Sequence, residues 1–225
     1  MTARPDYTPA LGLRALTPLY DTAIAAFTRE AAWRSRLVAQ IAPQAGMRVV
    51  DIGCGTGTLT RAPKRAAPGA KVIGVDPDAE VLAKARAETA ADGLEVDYFE
   101  GFFDDAFAAT HDPFTAITSS LVLHQVPLSG KAAILCMAFT ALAPGGRLHV
   151  ADYGVQPGIL MRFLFRNTVQ RIDGYKDTEH NARGVLPELM REAGFDPVEE
   201  TASISTPCGA ITLLRAEKNN SGEAT

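Results

Sequence analysis

The stretch from Val49 to Gly57, which reads VVDIGCGTG, decides the fold of this chain. It begins as a short β-branched run, which is typical of a buried strand in a parallel sheet. Glycines at positions 53, 55 and 57 then allow the backbone to turn sharply and to approach a ligand closely. A helix is expected to follow from Thr58, with unpaired N–H groups in its first turn. The stretch therefore predicts a ligand site beyond the carboxyl end of the first strand of an open α/β sheet.

The spacing of the glycines distinguishes between possible ligands. A dinucleotide fingerprint, G-x-G-x-x-G, would require a glycine at the position of Thr58, whereas the third glycine here is Gly57. Asp51, which ends the strand just before the loop, would repel a pyrophosphate and would suit a ligand that carries an ammonium or a sulfonium group. The alternative is a tight strand-to-helix turn that binds nothing. We expect no specific binding of nicotinamide dinucleotides.

A second carboxylate supports a ligand at this edge of the sheet. Asp76 ends the next hydrophobic strand, Lys71 to Asp76 (KVIGVD). A carboxylate at the tip of the second strand is placed to accept hydrogen bonds from both hydroxyls of a ribose. The alternative is that Asp76 caps the helix expected from Ala79, although Asp78 is at least as well placed for that role.

The rest of the chain continues as strands that alternate with helices, which predicts a parallel sheet with helices on both faces. The further elements that we expect are strands at Val96 to Phe99, Phe114 to Ser119 and Arg147 to Asp152, a turn at 144–146, helices at Pro157 to Ile172 and Leu186 to Ala193, and a closing antiparallel hairpin of Val198 to Ile204 and Ala210 to Ala216. The predicted fold is a Rossmann-like open α/β sheet, mostly parallel with a C-terminal antiparallel strand, preceded by an N-terminal helical extension.

Composition excludes several classes of protein. A formal net charge of −4 over 225 residues offers no basic field for nucleic acid. The three cysteines, Cys54, Cys136 and Cys208, are far apart, so we expect neither a metal site nor a disulfide. The most apolar stretch, Ala132 to Ala143, is too short to span a bilayer, and the first residues do not resemble a signal peptide. We therefore expect a cytoplasmic protein without stable membrane insertion.

Four motifs in order resemble the class I S-adenosylmethionine-dependent methyltransferase family. They are VVDIGCGTGTLT, VIGVDPDAEVLAKAR, FTAITSSLVLHQVP and LAPGGRLHVADYG. The segment LTPLYD (Leu16 to Asp21) and the ending REAGF…TPCGAITLLRAEK are similar to the ubiquinone and menaquinone biosynthesis branch of that family. The resemblance implies S-adenosyl-L-methionine as the cofactor.

The same resemblance implies a role for each residue of the cofactor site. Asp51 and the loop would hold the methionine part, Asp76 the ribose, and Pro77 with the residues 101–104 the adenine. The fourth strand would end beside the sulfonium, and the helix that carries Tyr20 would close over the cofactor. The predicted cofactor-binding residues are Tyr20, Asp51, Gly53, Cys54, Gly55, Asp76, Pro77, Phe103, Asp104, Ser119 and Leu121. One departure from the family pattern is Phe102, which stands where relatives often have an acidic residue for the adenine amino group.

His124 is the candidate for chemistry, because it follows the fourth strand and histidine accepts protons near neutral pH. The alternative is a histidine that only braces its loop. The apolar run Ile159 to Phe165 favours a small, partly hydrophobic organic acceptor. Two other functions stay open: a non-catalytic cofactor-binding protein or partner-binding subunit, and, less favoured, a nicotinamide-dependent oxidoreductase.

The expected domain organisation has three parts. Residues 1–45 form an N-terminal helical lid, residues 46–218 form the methyltransferase domain with a substrate-lid insertion at about 155–185, and residues 219–225 form a flexible tail. The protein is expected to be a monomer or a homodimer.

Overall fold

The structure, a computed structural model, describes residues 29–219. The predicted helix around Tyr20 and nearly all of the predicted tail lie outside the described residues. The strands in the described part are β1 (Arg48–Ile52), β2 (Lys71–Asp76), β3 (Asp97–Glu100), β4 (Phe114–Ser120), β5 (Leu142–Tyr153), β6 (Val198–Thr206) and β7 (Gly209–Glu217). The helices are α1 (Glu30–Ile41), α2 (Thr58–Ala66), α3 (Ala79–Ala91), α4 (Asp105–Ala109), α5 (Leu128–Ala141), α6 (Gly158–Asn167), α7 (Val169–Ile172), α8 (Tyr175–Ala182) and α9 (Val185–Glu192), with a 3₁₀ turn at Leu123–Gln125.

The strands form one seven-stranded sheet in the order β3-β2-β1-β4-β5-β7-β6. Strands β1 to β5 pair in parallel, and β7 is antiparallel to both of its neighbours, β5 and β6. This arrangement confirms the predicted fold class. Strand β1 lies between β2 and β4, so the strand order reverses beside it, and a crevice opens beyond the carboxyl ends of β1 and β4.

Hydrophobic side chains bury both faces of the sheet. Along β5, Leu148 and Val150 join the core under α4, α5 and α9, whereas Ala151 and Tyr153 join the core under α1 and α6. This alternation follows from the two-residue period of a strand. The alternation therefore determines which side chains at the end of β5 can reach the crevice.

Helix α1 belongs to the second of these cores. Trp33, Leu37 and Ile41 are buried, and they pack in the same cluster as Tyr153 and Phe165. The described part of the predicted lid thus contributes to the core of the domain. The domain boundaries themselves stay predictions.

Several local expectations differ from the structure. The expected single helix from Pro157 to Ile172 is two helices, because the Thr168 hydroxyl donates to the carbonyls of Leu164 (2.7 Å) and Cys208 (3.1 Å) and the chain bends there. The expected turn at 144–146 is a bulge inside β5, where the pairing with β4 jumps from Leu142 to Arg147. Helices α4 and α8 were not predicted, since α4 is only five residues long and the polar sequence of α8 lacks apolar periodicity.

Among residues 29–219, no helix combines the length and the apolar character that a membrane crossing requires.

Candidate functional site

The loops after β1 and β4 interlock at the crevice. The N–H groups of Gly53 and Cys54 both donate to the Val75 carbonyl, at 2.8 and 3.1 Å. Gly53 has φ +66°, and a Cβ atom there would lie 2.4 Å from Cγ2 of Val122. Glycine at this position is therefore required both by the backbone angle and by the close approach of the β4 loop.

Gly55 is the point at which the loop is open to a ligand. Its φ is +53°, and among the described residues no atom lies within 4 Å of the position of a Cβ. Its N–H donates to Asp76 Oδ2 at 2.9 Å. The N–H groups of both Gly53 and Gly55 are thus already hydrogen-bonded within the protein.

Asp51 lies beneath this loop and is 1% exposed. Its two carboxylate oxygens accept hydrogen bonds from the hydroxyls of Thr60 (2.7 Å) and Thr118 (2.8 Å). Burial raises the pKa of Asp51 to about 6, and the two hydroxyl bonds oppose that rise. At neutral pH the carboxylate therefore keeps its negative charge directly under the open face of the loop.

Asp76 and Asp78 divide two tasks that the sequence left open. Asp78 caps α3, since its side chain accepts from the N–H groups of Glu80 (2.8 Å) and Val81 (3.3 Å). Asp76 accepts instead from Gly55 N–H and, through Oδ1, from Asp78 N–H at 3.0 Å. Burial raises the pKa of Asp76. Asp76 thus joins the tips of β1 and β2 and does not cap the helix.

The predicted adenine side is formed by the end of β3 and the start of α4. Phe103 is buried, and its ring lies 5.6 Å from that of Phe107. The side chain of Asp104 caps α4 by accepting from Phe107 N–H at 2.9 Å. Pro77 is half-buried beside the loop. The capping bond gives Asp104 a structural role next to the adenine contact that the sequence predicted.

At the end of β4, Ser119 is buried and donates to the Ile52 carbonyl at 3.3 Å. Leu121 has φ +55°, an uncommon conformation for a residue with a branched side chain. Its N–H donates to the Ala151 carbonyl at 2.9 Å. Cys54 is buried opposite, and burial raises the pKa of its thiol. Backbone strain of this kind concentrates at functional sites, and here it lies where the sulfonium was predicted.

His124 lies between two carboxylates. Nδ1 donates to Asp152 Oδ1 at 2.7 Å, and Nε2 lies 3.4 Å from Asp173 Oδ2. Burial disfavours a charged imidazole, but Asp152 and Asp173 outweigh it and raise the pKa of His124 to about 9. His124 therefore carries a proton at neutral pH, and the group of Asp152, His124 and Asp173, here called the triad, holds one net negative charge.

Four partners of these groups were not predicted from the sequence, namely Thr60, Thr118, Asp152 and Asp173. Asp152 could have been found, because it is the next-to-last residue of β5, as Asp51 is of β1, and Asp76 ends β2. Nothing in the sequence pairs Asp173 with a histidine 49 positions earlier. Within residues 29–219, no group of three or more His, Cys, Asp and Glu residues is arranged to hold a metal ion.

Comparisons with known proteins agree with this site. The methyltransferase domain family matches residues 49–146. The demethylmenaquinone methyltransferase of Thermus thermophilus is 33% identical over 183 residues, which cover 78% of this chain and 81% of that protein. The chain belongs to the class I S-adenosylmethionine-dependent methyltransferases, in the branch that includes enzymes of quinone biosynthesis.

Two further comparisons bear on the branch and the fold. A ubiquinone biosynthesis O-methyltransferase of Xylella fastidiosa is 37% identical over 163 residues, covering 68% of this chain and 62% of that protein. The structure of the S-adenosylmethionine-dependent methyltransferase SibL superposes with a TM-score of 0.70 at 22% identity, over 97% of this chain and 63% of SibL. The chain is thus an enzyme that transfers a methyl group from S-adenosylmethionine to a small organic acceptor, as the sequence predicted.

Proposed function

We propose that the acceptor is a hydroxylated, partly hydrophobic aromatic molecule of the quinol or phenol type, and that a hydroxyl oxygen receives the methyl group. The observation that carries this proposal is the triad, which offers a buried and negatively charged proton acceptor near the carboxyl ends of β4 and β5. The names of the relatives, which concern demethylmenaquinone and ubiquinone biosynthesis, support the same class of acceptor.

The negative charge of the predicted cofactor site supports this proposal. Asp51 lies under the open face at Gly55, which suits a cationic ligand, and Asp76 joins the β1 and β2 loops at the predicted ribose position. Leu121 and Ser119 are proposed to flank the reacting centre. S-adenosylmethionine, when bound, supplies a methyl group on a sulfonium, which an in-line displacement transfers to the acceptor.

The protein must then accept the proton that the hydroxyl loses. The triad carries two carboxylates and one imidazolium, so the uptake of one proton makes it neutral. Asp173 is the partly exposed member, with 15% of its side chain accessible, and it faces Nε2 of His124. We infer that the acceptor hydroxyl approaches on this side, while Asp152 holds the other face of the imidazole. His124 thus orients and stabilises the charge, and the proton stays shared within the triad.

An apolar surface beside the triad would receive the hydrophobic part of the acceptor. Six large apolar side chains between 155 and 175 are more than half exposed in the described structure: Val155, Ile159, Leu160, Phe163, Ile172 and Tyr175. Exposed apolar patches of this kind mark binding surfaces. Because they lie on α6 and around α7, they adjoin the loop that carries Asp173.

The test is a methylation assay with labelled cofactor on paired acceptors. A catechol or hydroquinone with an alkyl tail should be methylated faster than its tailless partner, and the same quinone in its oxidised form, without hydroxyls, should not react. Phe163→Ser should raise the KM of the tailed acceptor alone, and Arg166→Ser, on the same helix, serves as the matched control. Methylation of amines or thiols with no turnover of phenols would overturn the proposal.

The remaining expectations are proposed in the same way. We propose that residues 1–45 include a cover that brings Tyr20 over the cofactor, and that the protein works in the cytoplasm as a monomer or homodimer without nucleic acid. A net charge of −4 supports the last point. Addition of S-adenosylhomocysteine should slow hydrogen exchange around Tyr20, and exchange that ignores the ligand would exclude the cover.

A further inference from the structure

Lys131 is the most unusual side chain near the site. It lies in the first turn of α5 and is 0% exposed, although lysine is almost never fully buried without a specific partner. Burial lowers its pKa to about 8, and the charges of Asp152 and Asp177 oppose that fall. A buried ammonium of this kind costs free energy, so its contacts must compensate for that cost.

The ammonium group of Lys131 joins two separate segments of the chain. Nζ donates to the carbonyl of Val126 at 2.5 Å and to the carbonyl of Asp177 at 3.0 Å. Val126 directly follows the 3₁₀ turn that carries His124, and Asp177 lies in α8. One side chain therefore ties helix α8 to the turn that presents the imidazole.

A second cation makes a parallel connection between the same segments. His124 belongs to the 3₁₀ turn, and its Nε2 faces Asp173, just before α8. Helix α8 is in turn joined to α6 and α7, because Glu179 accepts from Arg162 at 2.5 Å and from Gln170 at 3.0 Å. The helices that carry the apolar surface thus reach the triad through α8.

We propose that Lys131 is a positioning residue that holds α8 against the His124 turn and so sets the separation between the triad and the apolar surface that receives the acceptor. The claim that this separation matters for catalysis rests on the proposed function. The claim that Lys131 attaches α8 to the turn does not. Without the ammonium, two partly buried carbonyls lose a donor, and the polar connection between α8 and the His124 turn is left to Asp173. The triad would then meet the acceptor in a looser geometry.

The test compares Lys131→Met with Lys84→Met, which makes the same change at an exposed position of α3. In Lys131→Met, hydrogen exchange at 175–182 should accelerate by about tenfold or more, while β1 to β4 keep their protection. The affinity for S-adenosylhomocysteine should stay within about twofold of the wild type, because the cofactor loops do not touch Lys131. With a phenolic acceptor, kcat/KM should fall by about tenfold, with a rise in KM larger than the loss in kcat.

Lys131→Gln, which keeps a donor on a shorter side chain, should recover part of the protection of α8. Unchanged exchange in α8 would overturn the proposal, and so would loss of the whole fold in both variants, which would make Lys131 a general core residue. If α8 loosens as expected but no phenol is methylated by the wild type, the positioning of α8 stands and the proposed acceptor fails.

Discussion

The carboxylates of Asp51 and Asp152 are equally buried at the same edge of the sheet, yet they are paired in opposite ways. Asp51 accepts hydrogen bonds from two neutral hydroxyls, and Arg34 favours its charge only through a longer-range electrostatic interaction. Asp152 is bonded to His124, whose proton neutralises it. The first arrangement leaves a negative charge that suits a cationic ligand. The second holds the proton-binding imidazole of His124 between the carboxylates of Asp152 and Asp173. We therefore propose that one edge of the sheet separates cofactor binding, at Asp51, from proton handling, at Asp152.

The largest effect on turnover is expected for a substitution of His124, the partner of Asp152. His124→Gln removes the charge that holds Asp152 and Asp173 together, and it should lower kcat by about 10²–10⁴-fold. Cofactor affinity should stay nearly unchanged, since the Asp51 region is intact. Steady-state kinetics with the true acceptor would measure both. The matched control is His149→Gln, because His149 is also buried but its pKa lies at about 3 and it contacts Gln40, away from the crevice. Equal turnover in the two variants would reduce His124 to a brace for its loop.

The cofactor region is tested by Asp76→Ala. Loss of this carboxylate frees Gly55 N–H and removes the predicted ribose partner, so binding of S-adenosylhomocysteine should weaken by about 1–3 kcal/mol. Calorimetry would measure the change, with the exposed Asp97→Ala as control. Full affinity in Asp76→Ala would remove Asp76 from the ligand site.

The triad should also appear in the pH dependence of stability. The pKa of His124 is about 9 in the folded protein against an ordinary value of 6.5, so its protonation stabilises the fold fully below about pH 6.5 and ever less as pH rises towards 9. Two other groups oppose this loss: His149, whose pKa is lowered to about 3, and Lys131, whose pKa is lowered to about 8, both destabilise the fold less as pH rises. Between pH 6.5 and 8 the wild type should therefore lose about 1 kcal/mol.

Urea unfolding at the two pH values would show this loss in the wild type and in His149→Gln. The His124→Gln variant should lose no stability over the same interval. A wild type that is equally stable at both pH values would mean that the two carboxylates do not hold the proton.

The smallest effect is expected for Asp78→Ala. Its side chain caps α3, and loss of a cap of this type costs about 1 kcal/mol of stability. Cofactor affinity should change much less than in Asp76→Ala, although the two residues are neighbours. Chemical unfolding and calorimetry on the same pair of variants would separate the cap from the ligand residue. A larger loss of affinity in Asp78→Ala would reverse the assignment.

The sequence predicts the Asp51 region far better than the triad, and the reason is distance along the chain. The strand, the glycine loop, Thr60 and Asp76 all lie within the 29 consecutive positions from 48 to 76, where periodicity and turn chemistry apply directly. The triad joins positions 124, 152 and 173, and Lys131 adds position 177, so each contact depends on how strands and helices pack. Helix α8 itself was missed, because its buried residues are largely polar: Thr178, Glu179 and Asn181. The burial of Glu179 follows from its ion pair with Arg162 and its hydrogen bond from Gln170, which no local pattern reveals.

The place of β7 in the sheet has a consequence for how this protein assembles during synthesis. Strand β7 leaves the ribosome after β6, but it lies between β5 and β6 and provides the contacts of both. Until it emerges, the outer edge of β5 has no partner strand, and unpaired edges recruit other chains. We therefore expect nascent chains that end before Gly209 to depend on chaperones, and the completed sheet to form in one late step.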